Sequence, residues 1–169
     1  MTRLIAAALL LLPIATPGAE TPPDERIAAY REFRQGFDAG DYAVALAAAT
    51  RVVEMTRNQF GKDAIQLANP LTNLGTTYYR MRRHGEALDT YREALTLLDL
   101  AGNATDDRLV RPLQGMGAAL RGLGRDPEAI APLKRAVEIL RNREGLYTAS
   151  QLPLMKQLIA CHIAAGQMA

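Results

Sequence analysis

From about Ile27 onward, apolar residues fall three and four apart, the spacing of one helix face. The clearest stretch begins at Leu71. Leu71, Leu74, Gly75 and Tyr78 share one face, and the pattern breaks at Arg82-Arg83-His84-Gly85. It resumes with Ala87, Leu88, Tyr91, Ala94, Leu95 and Leu98, a broad apolar stripe that Gly102 stops. The next stretch repeats this logic. Leu113, Met116, Gly117 and Leu120 form a first face, and Gly124 turns the chain. Asp126 is suited to an N-cap and Pro127 to a first helical position. Ala129, Ile130, Leu133, Ala136, Val137 and Leu140 form a second face ending at Gly145. The spacing therefore predicts pairs of helices joined by tight turns.

These pairs recur every 42 residues. Ala45, Ala87 and Ala129 keep that spacing, as do Gly75 and Gly117, and Pro70 and Pro112. Gly40, Arg82, Gly124 and Gly166 mark one turn position. Such a period predicts an array of stacked units, all-α, over residues 27–169. The units span about 27–61, 68–102 and 110–145, with a partial one at 151–169. Each proline is expected to start or kink a first helix. Two helices approach to about 8–10 Å, and only small residues permit the closest crossings. Gly75 and Gly117 with Ala87 and Ala129 are assigned to that crossing, with Tyr78, Tyr91, Leu120 and Leu133 filling the space beside it. In the partial unit Leu154, Leu158 and Ile163 make an apolar face. Self-association through this last helix, or a longer parent protein, would cover it.

The pattern resembles the tetratricopeptide repeat: a Leu-Gly pair, an aromatic, a turn Gly, then Ala, an aromatic and Ala. Leu74-Gly75, Tyr78, Ala87, Tyr91 and Ala94 match it, with Arg82 in place of the turn Gly. Met116-Gly117, Leu120, Gly124, Ala129, Leu133 and Ala136 follow the same order. In the first unit Gly40, Tyr42 and Ala45 match, while Phe33 and Gly36 replace the expected Gly and aromatic. Ile159, His162 and Gly166 begin a fourth copy. The 42-residue period resembles the long-helix variety of kinesin light chains. The resemblance implies a right-handed α-solenoid of antiparallel hairpins that binds a protein or peptide along its first helices. On that concave strip it places Tyr30, Arg31, Arg34 and Phe37, then Asn69, Thr72, Asn73, Thr76, Tyr79 and Arg80. Arg111, Gln114, Ala118 and Arg121 follow, then Lys156, Gln157 and Ala160. Arginines pair with carboxylates and aromatic rings stack on guanidinium groups, so an extended acidic or C-terminal peptide is the expected ligand. Arg80 and Arg121 are expected to hold it together. The bland alternative is that these arginines only solvate a helix face.

The N-terminus adds a destination. Arg3 precedes an apolar run from Leu4 to Ile14, followed by Ala15-Thr16-Pro17-Gly18-Ala19. This is the plan of a cleavable secretory leader over residues 1–19, cut after Gly18 or Ala19. No Cys follows the run, so a lipid-anchored leader is not expected. Residues 20–26 read as a polar linker in which prolines oppose a helix. The mature chain is then periplasmic or secreted, with no later membrane span. The formal charge of +2 is too balanced for a bulk nucleic-acid binder. Cys161 is the only cysteine, so no internal disulfide forms; it reads as a buried apolar residue.

Chemistry-bearing clusters are sparse. His84 and His162 are the two histidines. His84 is expected to face solvent in a turn, and His162 to pack at an aromatic position. No zinc spacing, phosphate-cradling loop or nucleophile elbow occurs, so no metal, cofactor or catalytic residue is assigned. Glu86, Asp89, Glu93 and Asp99 read as a solvated helix exterior. The favoured function is a non-catalytic interaction scaffold of the bacterial envelope. The alternatives are a periplasmic docking arm or fragment of a larger transport, secretion or energy-transducing protein, and, remotely, an enzyme with an unrecognised site.

Overall fold

A computed structural model describes residues 23–146 and 148–166. The expected leader and residues 20–22 lie outside the described residues. Seven α-helices follow one another among the described residues: α1 (Pro23–Asp38), α2 (Tyr42–Phe60), α3 (Ala68–Arg80), α4 (His84–Leu100), α5 (Val110–Gly122), α6 (Asp126–Glu144) and α7 (Leu152–Ala164). α1 begins at Pro23, inside the stretch read as linker. A proline in the first helical turn loses no hydrogen bond, because the first amides of any helix lack intrahelical partners. For the same reason Pro70 and Pro112, third residues of α3 and α5, start these helices without breaking them.

Helices pair as antiparallel hairpins, α1 with α2, α3 with α4 and α5 with α6, and each second helix packs on the next first helix. The result is an all-α solenoid. Successive first helices also meet, α3 with α5 and α5 with α7, so they form the inner layer. Successive second helices are linked by ion pairs: Arg57 to Glu93 at 2.8 Å and Arg135 to Asp99 at 2.6 Å. Acidic residues read as solvation thus include two that tie neighbouring units.

Before α3, α5 and α7 the chain makes one 3-10 turn, and its last residue is buried each time: Leu67, Leu109 and Gln151. Gln151 occupies the place of a leucine because its amide Nε2 donates to the Gly145 carbonyl at 2.7 Å, which satisfies the buried group.

The hairpin turns use left-handed backbone. Gly40, Gly124 and Gly166 have φ of 76°, 72° and 66°, and Arg82 has 61°. After α3 the Arg82 amide donates to the Tyr79 carbonyl and that of Arg83 to Tyr78 at 3.0 Å. After α5 Gly124 and Arg125 bond to Arg121 and Leu120 in the same way. Arg82 therefore takes a glycine's conformation to make the same cap.

Packing corrects the expected crossing. A Cβ added at Gly75 would lie 2.9 Å from the Tyr91 ring, and one at Gly117 would lie 2.6 Å from Leu133. The glycines make room for these side chains rather than for Ala87 and Ala129, which are themselves fully buried. The first unit reverses the scheme. Phe33 stands at the phase of Gly75 and Gly117, and Ala49 at the phase of Tyr91 and Leu133. Both are buried in the same core cluster. Large-against-small is exchanged between the two helices, which conserves volume. Gly36 accordingly takes the close approach, its Cα facing the Ala45 backbone so that a Cβ would come within 2.9 Å.

Three further expectations change. Asp126 is the first residue of α6 and does not cap it; its carboxylate accepts from Arg121 Nε at 3.1 Å. His84 does not face solvent. Its half-buried ring lies 5.3 Å from that of Tyr79 and fills the space beside Gly122. On α7, Leu154 is buried and Leu158 packs against the core, whereas Leu152, Ile159 and Ile163 are exposed. The open apolar stripe is therefore 152/159/163. Cys161 is fully buried, and burial pushes its thiol pKa up.

Candidate functional site: a groove along the first helices

Two cavities join on the inner layer. One, about 400 Å³, is lined by α3 through Thr76, Tyr79 and Arg80, by α5 through Arg111, Gln114, Gly115 and Ala118, and by Gln157 of α7. The other, about 210 Å³, lies between α1 and α3–α5, lined by Tyr30, Phe33, Arg34, Phe37, Asp38, Asn73, Thr76 and Arg111. Thr76 and Arg111 belong to both, so the two form one groove across α1, α3 and α5.

The wall on the α1 side is an aromatic row. Ring centroids of Tyr30 and Phe33 are 5.9 Å apart, Phe33 and Phe37 5.7 Å, and Phe37 and Tyr42 5.6 Å. Arg80 reaches from α3 over the Phe37 ring at 5.9 Å, a cation–π contact that uses the face of the guanidinium and not its N–H donors. Arg111 donates to the Asn73 side-chain oxygen at 3.2 Å. Arg34 pairs with Asp38 at 3.5 Å on its own helix.

Tyr91 contributes from the second layer. Its ring, 2% exposed, passes between Gly75 of α3 and Gly115 of α5, where an added Cβ would sit 2.2 Å from the ring. Its hydroxyl donates to Thr76 Oγ1 at 3.1 Å at the floor of the groove. Burial pushes its phenol pKa up, and the bond to Thr76 opposes that shift. The sequence placed Tyr91 only among structural positions. The signal for its second role is Gly115-Met116-Gly117: two glycines in one helix are costly, and each serves a different neighbour, Tyr91 and Leu133.

The expected strip is only partly assembled. Tyr30, Arg34, Phe37, Asn73, Thr76, Tyr79, Arg80, Arg111 and Gln114 line the groove, together with Ala118 and Gln157. Thr72 does not: it is buried, and its hydroxyl donates to the Ala68 carbonyl at 2.7 Å. Arg31, Asn69 and Lys156 are exposed and line neither cavity. Arg121 is held by Asp126 at the end of α5 and lines neither cavity. It stands 42 residues after Tyr79, not after Arg80, so the two arginines do not share a phase. Arg111 is the partner of Arg80 across the groove. Phe33, Asp38, Tyr91 and Gly115 are lining residues the strip omitted.

Among the described residues no three His, Cys, Asp or Glu side chains group as a metal would require. None of the described helices is long and apolar enough to cross a membrane.

A stacked helical array with an open, aromatic and basic groove is the geometry of an interaction scaffold. Comparison with known proteins agrees. The tetratricopeptide repeat family model matches residues 37–100 and 83–142, and the chain belongs to that family. Repeats of this family mediate protein–protein interaction. A TPR-like protein of Chlorobium tepidum TLS is 24% identical, with 86% of this chain and 99% of that one aligned at a TM-score of 0.66. BtubC of P. vanneervenii is 18% identical over 88% of this chain and 60% of its own, at 0.77. A Podosopora anserina structure of nearly identical TPR-like repeats of the kinesin light chain type is 16% identical over 86% and 69%, at 0.76. At these identities the structures share the fold. No curated protein matches the chain.

Proposed function

We propose that the chain is a non-catalytic scaffold of the bacterial envelope that holds an extended, acidic segment of a partner protein in its first-helix groove. One observation carries this reading: Arg34, Arg80 and Arg111 converge with an aromatic row on a continuous groove. Carboxylates are the natural acceptors for guanidinium N–H groups, and the side-chain amides of Asn73 and Gln114 can bond a peptide backbone. The export assignment is supported by the leader-like residues 1–19. The test is fluorescence polarisation with a labelled Glu-rich peptide. Arg80→Glu with Arg111→Glu is expected to weaken binding at least about tenfold, with a weaker salt dependence. Both side chains are exposed, so the fold should survive. Unchanged affinity in the double variant would overturn the groove assignment.

A second reading, a docking arm of a larger assembly, is favoured by the exposed Leu152, Ile159 and Ile163 on α7. Co-purification with one fixed complex, lost on Ile159→Asp, would support it.

A further inference from the structure

The groove continues past its arginines. α1 stands off from α3, whereas α3 packs directly on α5. Between α1 and α3 lies a third cavity of about 360 Å³. Ile27 and Tyr30 of α1, Val52 and Phe60 of α2 and Pro70 of α3 line it. Tyr30 also lines the arginine-bearing groove, so the two adjoin at that side chain.

The cavity has a cause in the sequence. Thr56, on its floor, occupies the phase of Leu98 and Leu140, which are buried in the later units. Threonine is smaller, and its hydroxyl is already committed to the Val52 carbonyl at 2.7 Å. The floor therefore offers space without an open polar group. The walls are reachable: Ile27, Tyr30 and Phe60 are 46%, 42% and 41% exposed. Arg26 stacks on Phe60 at 5.3 Å at the rim, and Arg34 lines the adjoining groove together with Arg111. The charges around the opening thus favour acidic flanks.

We infer that this cavity anchors one large aliphatic or aromatic side chain of the same extended segment whose acidic residues lie against Arg80 and Arg111. The occupant is a partner segment that couples an apolar anchor to an acidic stretch. This rests on the groove reading and adds a specificity pocket to it. An apolar side chain leaving water gains affinity that charge alone does not supply.

The experiment uses the full chain and synthetic labelled peptides that share one Glu-rich stretch. Each carries Leu, Phe or Ala at one position, scanned along both flanks. Leu or Phe at one scanned position should bind roughly tenfold tighter than Ala there. Ile27→Ser with Phe60→Ser should remove that gain and leave the Ala peptide within about twofold. Thr56→Leu, which refills the floor as in the later units, should also remove the gain while the protein melts no lower. Apolar peptides binding no tighter than Ala at every position would overturn the anchor, as would a gain that survives Thr56→Leu. If the Ala peptide still binds through Arg80 and Arg111, the groove reading stands and the anchor alone falls. If no peptide binds the unaltered chain, both fall.

Discussion

Replacing Arg82 by glycine should stabilise the protein, although the substitution removes a long side chain and a charge. Arg82 holds φ at 61°, the left-handed region that its counterparts Gly40, Gly124 and Gly166 occupy without a Cβ. For a residue with a Cβ that conformation costs about 1–2 kcal/mol. Glycine removes the cost but adds unfolded-state freedom of about 0.5–1 kcal/mol. Arg82 is exposed and among the described residues makes no ion pair, so little contact is lost. Its backbone amide bond to Tyr79, at 2.9 Å, is available to glycine equally. The net gain is about 0.5–1 kcal/mol, which for a chain of this size raises the melting temperature by roughly 1–4 °C. Urea unfolding followed by circular dichroism should show a higher midpoint with an unchanged slope. Gly124→Ala is the converse control and should lower the midpoint. A destabilised Arg82→Gly, with Gly124→Ala neutral, would refute the claim that this turn position selects for left-handed backbone.

Other consequences follow from the packing. Gly117→Ala places a Cβ against Leu133 and should cost about 1–3 kcal/mol; in the double variant with Leu133→Ala, thermal melts should show less loss than the two single effects added together. Ala87→Leu or Ala129→Leu, at fully buried positions, should each cost about 1–3 kcal/mol by overpacking, and an unchanged melting curve for either would contradict its burial. Glu144 has its carboxyl lowered from the ordinary 4.5 to about 2, chiefly by the Ser150 hydroxyl and then by Arg143. The fold favours its charged form, so that contribution is complete above pH 4.5 and is lost as the pH falls toward 2. A carboxyl-detected NMR titration should find its midpoint depressed, and Ser150→Ala should move it back up.

Much of the helical plan is written in the apolar spacing. Residues such as Leu71, Leu74, Leu113 and Leu120 are buried where one helix face predicts. Contacts between helices are less legible, because periodicity fixes a face but not the neighbour that meets it. Gly75 and Gly117 are recognisable as close approaches, yet what approaches them is Tyr91 and Leu133. His84 reads as a polar turn residue, but the turn folds it onto Tyr79 and Gly122, from other elements. The groove divides in the same way. Residues in the middle of the first helices, such as Asn73, Thr76 and Gln114, fall where the inner phase puts them. Arg121, in the last turn of α5, does not. Arg121 is captured by Asp126 across the turn, and such local pairing is invisible to a phase argument. The apolar cavity beside α1 is not legible in the apolar spacing, because it follows from one smaller residue at a core position. Thr56 stands where the later units have Leu98 and Leu140.

The central claim is that ligand is held along the first helices, and backbone-amide NMR tests it most directly. With the Glu-rich peptide added in steps, shifts should concentrate at Asn73, Thr76 and Arg80 of α3 and at Arg111 and Gln114 of α5. They should extend to Tyr30 and Phe37 of α1 and leave α2, α4 and α6 largely unmoved apart from Tyr91. Shifts confined to the second helices, or to the α7 stripe of Leu152, Ile159 and Ile163, would contradict the account.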